Sequence, residues 1–290
     1  MDVVEKTKGL QAKAAQKREG KTPNTKPSAQ IIQLPLWADK TRGIPNTFAR
    51  SALFTIGYRR TPRQHFKGEV VAAMGNTVIT YTGEELRQDD ETVLLQLIHM
   101  ARLNPINKPV CFTSYSFLKE IRWSTQGQNH YKRFSDCIDR LKANSLKVTD
   151  GDTSYGGDSQ GEANSLIAKI KFRNNSKNKS KEWMIWIDPE ILNLFNATAY
   201  SRIEWEQRLE LKKPLEQWLH SYYFTHRDPY PMKVKTIHEL CGSTAKNLSS
   251  FRQKINESLR TLKEIGFLSE WWIDNNDLVH VRRNKALASE

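Results

Sequence analysis

Cysteine is scarce in this sequence. Three occur among 290 residues, Cys111, Cys137 and Cys241, and no two stand in a CxxC pair. That excludes a disulfide framework and a thiolate zinc site. It predicts reduced thiols, buried as small hydrophobes, in a cytoplasmic protein. No apolar run reaches the roughly 18 residues of a membrane span, and the charged N-terminus lacks the apolar stretch of a signal peptide. A phosphate-binding loop of the GxxxxGK[ST] type is also missing. The nearest string, Gly151–Asp158, has Gly157 and Asp158 where the lysine and the hydroxyl should stand, and an acid there repels phosphate. His238-Glu239-Leu240-Cys241 lacks the second histidine of HExxH, and neither a His-x-His pair nor a GxSxG elbow occurs. No cofactor, metal site or catalytic activity is expected.

Acids are in the minority. Lys and Arg number 45 against 32 Asp and Glu, a net charge of +13. Such a surplus points to a polyanionic partner, most often nucleic acid. With 38% apolar residues and eight Trp, a packed core is available. Residues 1–45 read as a flexible basic tail, rich in Lys, Gln, Ala, Pro and Thr, with nine basic residues against four acids. Inside it stands Gln33-Leu34-Pro35-Leu36-Trp37. Apolar anchors in a polar, flexible setting either insert into a partner's pocket or fold back on the neighbouring domain. Composition does not choose between these readings.

The remaining chain divides into residues 46–195 and 196–290. In the second part, Leu248, Phe251, Ile255, Leu259, Leu262 and Ile265 recur at helical spacing, predicting a long helix within Ser243–Gly266 that is capped by Ser243 or Thr244. Val234–Cys241 precedes it as a shorter helix, with Gly242 for the turn. Phe267–Ile273 and Leu278–Arg282 follow as a hairpin. Helix, turn, longer helix and hairpin make a winged helix-turn-helix, whose second helix enters the DNA major groove. The first part repeats the order. It has a short helix at Ser114–Trp123, a turn at Gly127 and a longer helix at Asn129–Leu146. A hairpin with a basic tip, Arg173–Lys181, follows. The expected fold is therefore α+β, two tandem winged helix-turn-helix domains behind a disordered basic tail. Polar and basic side chains on the two long helices are the types that bond base edges. The candidates are Asn129, Lys132, Arg133 and Arg140 in the first domain, and Thr244, Lys246, Asn247, Ser250, Gln253 and Arg260 in the second. Lys177, Lys179 and Lys181 on the hairpin tip are expected to lie on phosphates. Further expectations are a helix over Gly83–Asn104 whose Asp89-Asp90-Glu91 form a solvated acidic face, a long helix over Ile203–Thr225, and an unstructured acidic insertion at Asp150–Asn164. A winged-helix transcriptional repressor is the competing reading, and a nuclease or relaxase a distant third.

At Asn46–Thr55 (NTFARSALFT), Ile79–Gln96 (ITYTGEELRQDDETVLLQ), His226–Ser243 (HRDPYPMKVKTIHELCGS) and Asp277–His280 (DLVH) the sequence resembles the TrfA-type plasmid replication initiators. The resemblance runs from about Gln33 to about Arg283. It implies two tandem winged-helix domains that bind directly repeated origin sequences (iterons), help open adjacent AT-rich DNA, and recruit the host initiator and replicative helicase without catalysis. It also implies a monomer–dimer equilibrium. The family carries a Gln-Leu-x-Leu-Phe motif for the bacterial polymerase sliding clamp, which Gln33, Leu34, Leu36 and Trp37 match with Trp in place of Phe. The Asp150–Asn164 insertion is not covered. Lys246, Asn247, Ser250 and Gln253 differ from the family's pattern, which implies a different cognate repeat.

Overall fold

Trp37 is seated in the core, close to the first described residue. The computed structural model describes residues 34–74, 77–151, 159–175, 180–195 and 199–284. Leu34 and Trp37 are both buried, and β1 (Thr41–Pro45) that follows is buried at every residue. These residues, expected in the tail, belong to the body.

After β1 come a single-turn helix α1 (Asn46–Ala49), the short strand β2 (Phe54–Thr55), the hairpin β3 (His65–Met74) and β4 (Thr77–Glu84), and β5 (Leu86–Arg87), which pairs in parallel with β2. The first module then runs α2 (Gln88–Ala101), β6 (Val110–Thr113), α3 (Ser114–Glu120) and α4 (Gln128–Lys142). Next, β7 (Asn144–Gly151) and β8 (Ser159–Asn164) extend the β3–β4 hairpin into a sheet of order β3-β4-β7-β8, and β9 (Ile167–Asn175) and β10 (Ser180–Ile187) form the second hairpin. A short helix α5 (Pro189–Asn193) leads to β11 (Tyr200–Glu204), which pairs antiparallel with β1. The second module has α6 (Trp205–Glu210), α7 (Pro214–Phe224), β12 (Met232–Lys233), α8 (Val234–Leu240), α9 (Leu248–Glu264), β13 (Leu268–Ile273) and β14 (Leu278–Arg283).

The two modules share one plan. Each places a strand, a short helix, a long helix and a hairpin in that order, and their three-stranded sheets run β6-β10-β9 and β12-β14-β13. In both, the strand before the short helix pairs with the last strand of the hairpin. Each module has its own core. In the first, Phe112, Phe117, Phe134 and Trp183 pack edge to face and tilted around α3 and α4. In the second, Phe251, Ile255, Leu259 and Leu262 of α9 are wholly buried. Each such side chain contributes about 1.5–3 kcal/mol on burial.

Four expected elements differ. The helix predicted from Gly83 begins at Gln88, because Thr77–Glu84 and Leu86–Arg87 are committed to sheets. The helix predicted through Leu146 stops at Lys142, where β7 takes the chain into the four-stranded sheet. The helix predicted over Ile203–Thr225 is split: α6 ends at Glu210, and Pro214, which has no amide proton to donate, opens α7. Within the insertion, Ser159–Asn164 is a strand paired with β7; residues 152–158 lie outside the described ones. Among the described residues, no helix is long and apolar enough to cross a membrane.

Two histidines are held neutral inside. His99 accepts a hydrogen bond at Nδ1 from Trp37 Nε1 at 3.0 Å. His220 packs between the rings of Phe224 and Phe267. Burial, with Arg42 and Arg102 near His99 and with Arg208 and Arg283 near His220, pushes each down to about 3. The unfolded chain takes up these protons near pH 6.5 and the folded chain does not, so stability falls as pH drops below that value. At pH 5 the expected loss is roughly 2 kcal/mol per histidine. Thermal melts at pH 7 and pH 5 should show a clear drop in Tm, and an unchanged Tm would contradict the burial of these rings.

Candidate nucleic-acid interface

In the second module, α8 ends in a turn that Gly242 permits with its positive φ of 62°. The turn is tied by Ser243 N donating to His238 O at 3.0 Å. The His238 ring lies edge-on to Phe251 and its Nε2 is 2.8 Å from Ala245 O, so His238 is a structural residue of the turn. The helix cap is Asn247, not Ser243 or Thr244. Its Oδ1 accepts from Ser249 N and Ser250 N at 2.8 and 3.4 Å. Asn247 thus uses its oxygen on the helix and keeps its amide nitrogen as a donor, while Ser250 Oγ donates back to Asn247 O. Thr244, Lys246, Asn247, Ser250, Gln253 and Arg260 are all exposed, and Lys246 to Gln253 cluster at the first turn of α9. The hairpin tip of this module is acidic. Asp274 accepts from Asn276 N and Leu278 N and pairs with His280, and Asp277 pairs with Arg252 at 2.8 Å. A phosphate contact is therefore not expected there.

In the first module, Gly127 supplies the turn at φ 79°, and α4 presents Gln128, Asn129 and Lys132 to solvent. Lys132 pairs with Asp136 one turn on, at 2.8 Å. Both are exposed, so this pair is weak and is easily exchanged for a phosphate or base. Arg133 and Arg140, expected to read bases, face inward. The Arg133 guanidinium lies 3.6 Å from the centre of the Trp123 ring and 3.3 Å from Asp89 Oδ2. Arg140 bonds Asp90 Oδ1 at 3.0 Å. Arg63 completes the group, 3.2 Å from Asp89 and 2.8 Å from Asp90. The expected solvated acidic face does not exist: Asp89, Asp90 and Glu91 side chains are 8%, 0% and 3% exposed. Burial works against the Asp89 carboxylate, and Arg133, Arg63 and Arg140 outweigh it, holding it below the usual carboxylate range. Burial likewise opposes the Arg140 charge, and Asp90 more than restores it.

On the first hairpin, Lys177 and Lys179 lie outside the described residues. Lys181 is half-buried, with its Nζ 3.8 Å and 4.0 Å from the Phe172 and Trp183 ring centres. It is an inward cation–π contact, where burial lowers its pKa, and not a free phosphate ligand. It lines an open groove of about 430 Å³ between α4 and the hairpin, with Gln128, Tyr131, Ser135 and Trp183. Gln128 is a further candidate, because the helix starts one residue before the predicted Asn129; its place just after Gly127 is the signal.

Gln33 lies outside the described residues. Leu34 and Trp37 are committed to the core, with Trp37 stacked on Phe195 and tilted against Tyr200. Arg102 Nε donates to Trp37 O at 3.2 Å. Leu36 alone of the three faces water, at 70% exposure. Folding back is thus the state of this segment. Of the cysteines, Cys137 and Cys241 are buried as expected and Cys111 is exposed.

The sequence profile of the family described as TrfA protein matches residues 6–283. The chain belongs to the TrfA family. The plasmid replication initiator protein TrfA of Escherichia coli is 33% identical over 267 residues, which are 90% of this chain and 68% of that protein. Plasmid replication initiation is the function that membership carries. A crystal structure of RctB domains 2 and 3 matches with TM-score 0.55 at 13% identity, covering 83% of this chain and 98% of the other. A second structure, of selenomethionine derivatives of the same two domains, matches at 0.54 and 14%. At such identities the likeness is one of fold: the TrfA-family chain shares a mixed α+β architecture with RctB.

The geometry separates two arginines from the lysine beside them. Arg140→Ala leaves Asp90 buried with less counter-charge and should cost about 3–5 kcal/mol of stability, seen in denaturant unfolding. Lys132→Ala should leave the unfolding midpoint within about 0.5 kcal/mol of the parent. Equal midpoints for both would refute the structural role of Arg140.

Proposed function

We propose that this protein initiates replication of its plasmid by docking two winged helix-turn-helix domains on iterons in the origin. It acts by binding, without catalysing a reaction. It helps open the neighbouring duplex and recruits the host initiator and replicative helicase. The observation that carries this reading is the repeated plan. Each module sets a long helix behind a glycine turn, with exposed donors at its first turn: Gln128, Asn129 and Lys132 in one, Lys246, Asn247, Ser250 and Gln253 in the other. Phosphate contacts set the register and these side chains read the groove.

Footprinting on the replicon's own DNA should give protection recurring across direct repeats. A single protected palindrome over a promoter would instead favour a repressor. Lys246→Ala and Gln253→Ala should each weaken binding to the repeat by about 1–3 kcal/mol while changing binding to random duplex little. Equal losses on both duplexes would remove these residues from base readout.

The second part of the proposal is capture of the bacterial sliding clamp by Gln33–Trp37. Because Trp37 is seated in the core, capture through the whole motif requires that the segment first leave its slot. Leu36→Ala touches the exposed side chain. It should weaken clamp pull-down several-fold with Tm unchanged, whereas Trp37→Ala should lower Tm by opening a cavity worth roughly 3–5 kcal/mol. Undiminished pull-down with Leu36→Ala would end the clamp assignment.

A further inference from the structure

Between the two modules lies a basic turn that no role has yet claimed. It follows β2, which belongs to the first module, yet it is built into the second. Ile56 packs in the second core, and its amide donates to Cys241 O at 3.1 Å, at the end of α8. Thr55 fills the space over Gly242, where a Cβ would come within 2.7 Å of Thr55 Cγ2. The turn itself, Tyr58–Pro62, is held from within. Arg87, buried and paired with Glu85 at 2.6 Å, donates to Tyr58 O, Thr61 O and Pro62 O at 2.5, 3.0 and 3.0 Å. Thr61 N and Oγ1 close the turn on Tyr58 O at 3.0 and 2.7 Å. Gly57 makes this possible, since a Cβ there would collide with the Arg87 guanidinium and the Glu85 carboxylate.

The outer side of this fixed turn is cationic. Arg59 and Arg60 are exposed, and no ion pair engages either among the described residues. The turn is linked to both long helices, to one directly and to the other through Asp89. Tyr58 has Lys254 of α9 5.4 Å from its ring centre. On the other flank Arg63, just past the turn, shares Asp89 with Arg133 of α4, at 3.2 and 3.3 Å. A turn whose backbone is already ordered loses little freedom on binding, and two arginines with no ion-pair partner among the described residues are open to an external anion.

We infer that Arg59 and Arg60 form a third DNA contact, on the phosphates bordering the minor groove that separates the two major-groove faces read by α4 and α9. When two helices enter successive major grooves on one side of a duplex, the minor groove between them faces the protein. In this proposal the turn borders that groove, and its chemistry is that of a backbone ligand. This inference rests on the reading of the protein as a DNA-binding initiator.

The test uses the full chain, a duplex carrying two of the replicon's repeats, and a random duplex of equal length. Arg59→Ala/Arg60→Ala should reduce affinity for both duplexes, roughly ten- to hundredfold near 0.1 M salt, and lower the salt slope by about 2. Hydroxyl-radical protection should vanish only from the strip between the two protected faces, with Tm unchanged. Arg59→Lys/Arg60→Lys should restore the slope. Gly57→Ala, which displaces the Arg87 support, should thin the same strip. A double alanine variant with the parent's slope and full protection overturns this inference alone. If the unaltered protein protects no repeats, the parent reading falls and this one with it, so the two failures are distinct.

Discussion

Three consecutive carboxylates at the start of α2 hold the molecule's parts in relation to one another. Asp89 and Asp90 take Arg63 from the loop before β3 and Arg133 and Arg140 from α4. Glu91 takes Arg208 of α6, 3.3 Å away and with no exposed side-chain surface. Successive residues of a helix point about 100° apart, so three adjacent acids between them reach three elements, with Arg63 shared by Asp89 and Asp90. Burying such charges is expensive, and the geometry is stable only because each is met by guanidinium and further hydrogen bonds. Asp90 also accepts from Arg87 N at 2.8 Å, at the helix N-terminus, where the macrodipole favours negative charge.

This network decides what α4 can show to a partner. With Arg133 and Arg140 turned toward α2, the outward face of α4 is left to Gln128, Asn129 and Lys132. On α9 the inward face is mainly apolar, with Ser258 the one buried polar side chain among its described residues, and its ion pairs, Lys213 with Glu257 and Arg252 with Asp277, lie at the surface. The two long helices therefore have similar polar tips and different supports, one electrostatic and one hydrophobic. Arg208 extends the network across the boundary. It also donates to Ser221 of α7 and Gln88 of α2, so the first helices of both modules meet at one buried cation.

Periodicity and turn glycines made much of this fold legible in the sequence. The stripe from Phe251 to Leu262, the glycines at 127 and 242, and the two hairpins were readable because each is a local signal. So was the twofold recurrence of one plan. Other features depend on contacts between distant residues. Asp89-Asp90-Glu91 has the composition of a water-facing helix start, and its burial is set by arginines 26 to 117 positions away. The inward turn of Arg133 and Arg140 follows from the same pairing. Leu34 and Trp37 look alike in a free anchor and in a packed strap; His99, Phe195 and Tyr200 decide between these, and none is near in sequence. Pro214 was visible, but the apolar spacing through it outweighed the break. Asp274 and Asp277 mark the second hairpin tip as acidic in the sequence itself.

The join between unlike modules has a consequence for symmetry. Arg208 with Glu91, Trp218 Nε1 with Ser51 O, and Arg50 with Thr225 fasten two similar but non-identical halves into one chain. A body of this kind has no two-fold axis, so nothing in a single copy demands a palindrome. On the proposed docking to direct repeats, one end of such a body would hold the electrostatically braced half and the other the more apolar one. The DNA beneath it would acquire a left and a right, and successive copies on repeats of one orientation would all face the same way. Direction would then be written into the covalent order of the polypeptide.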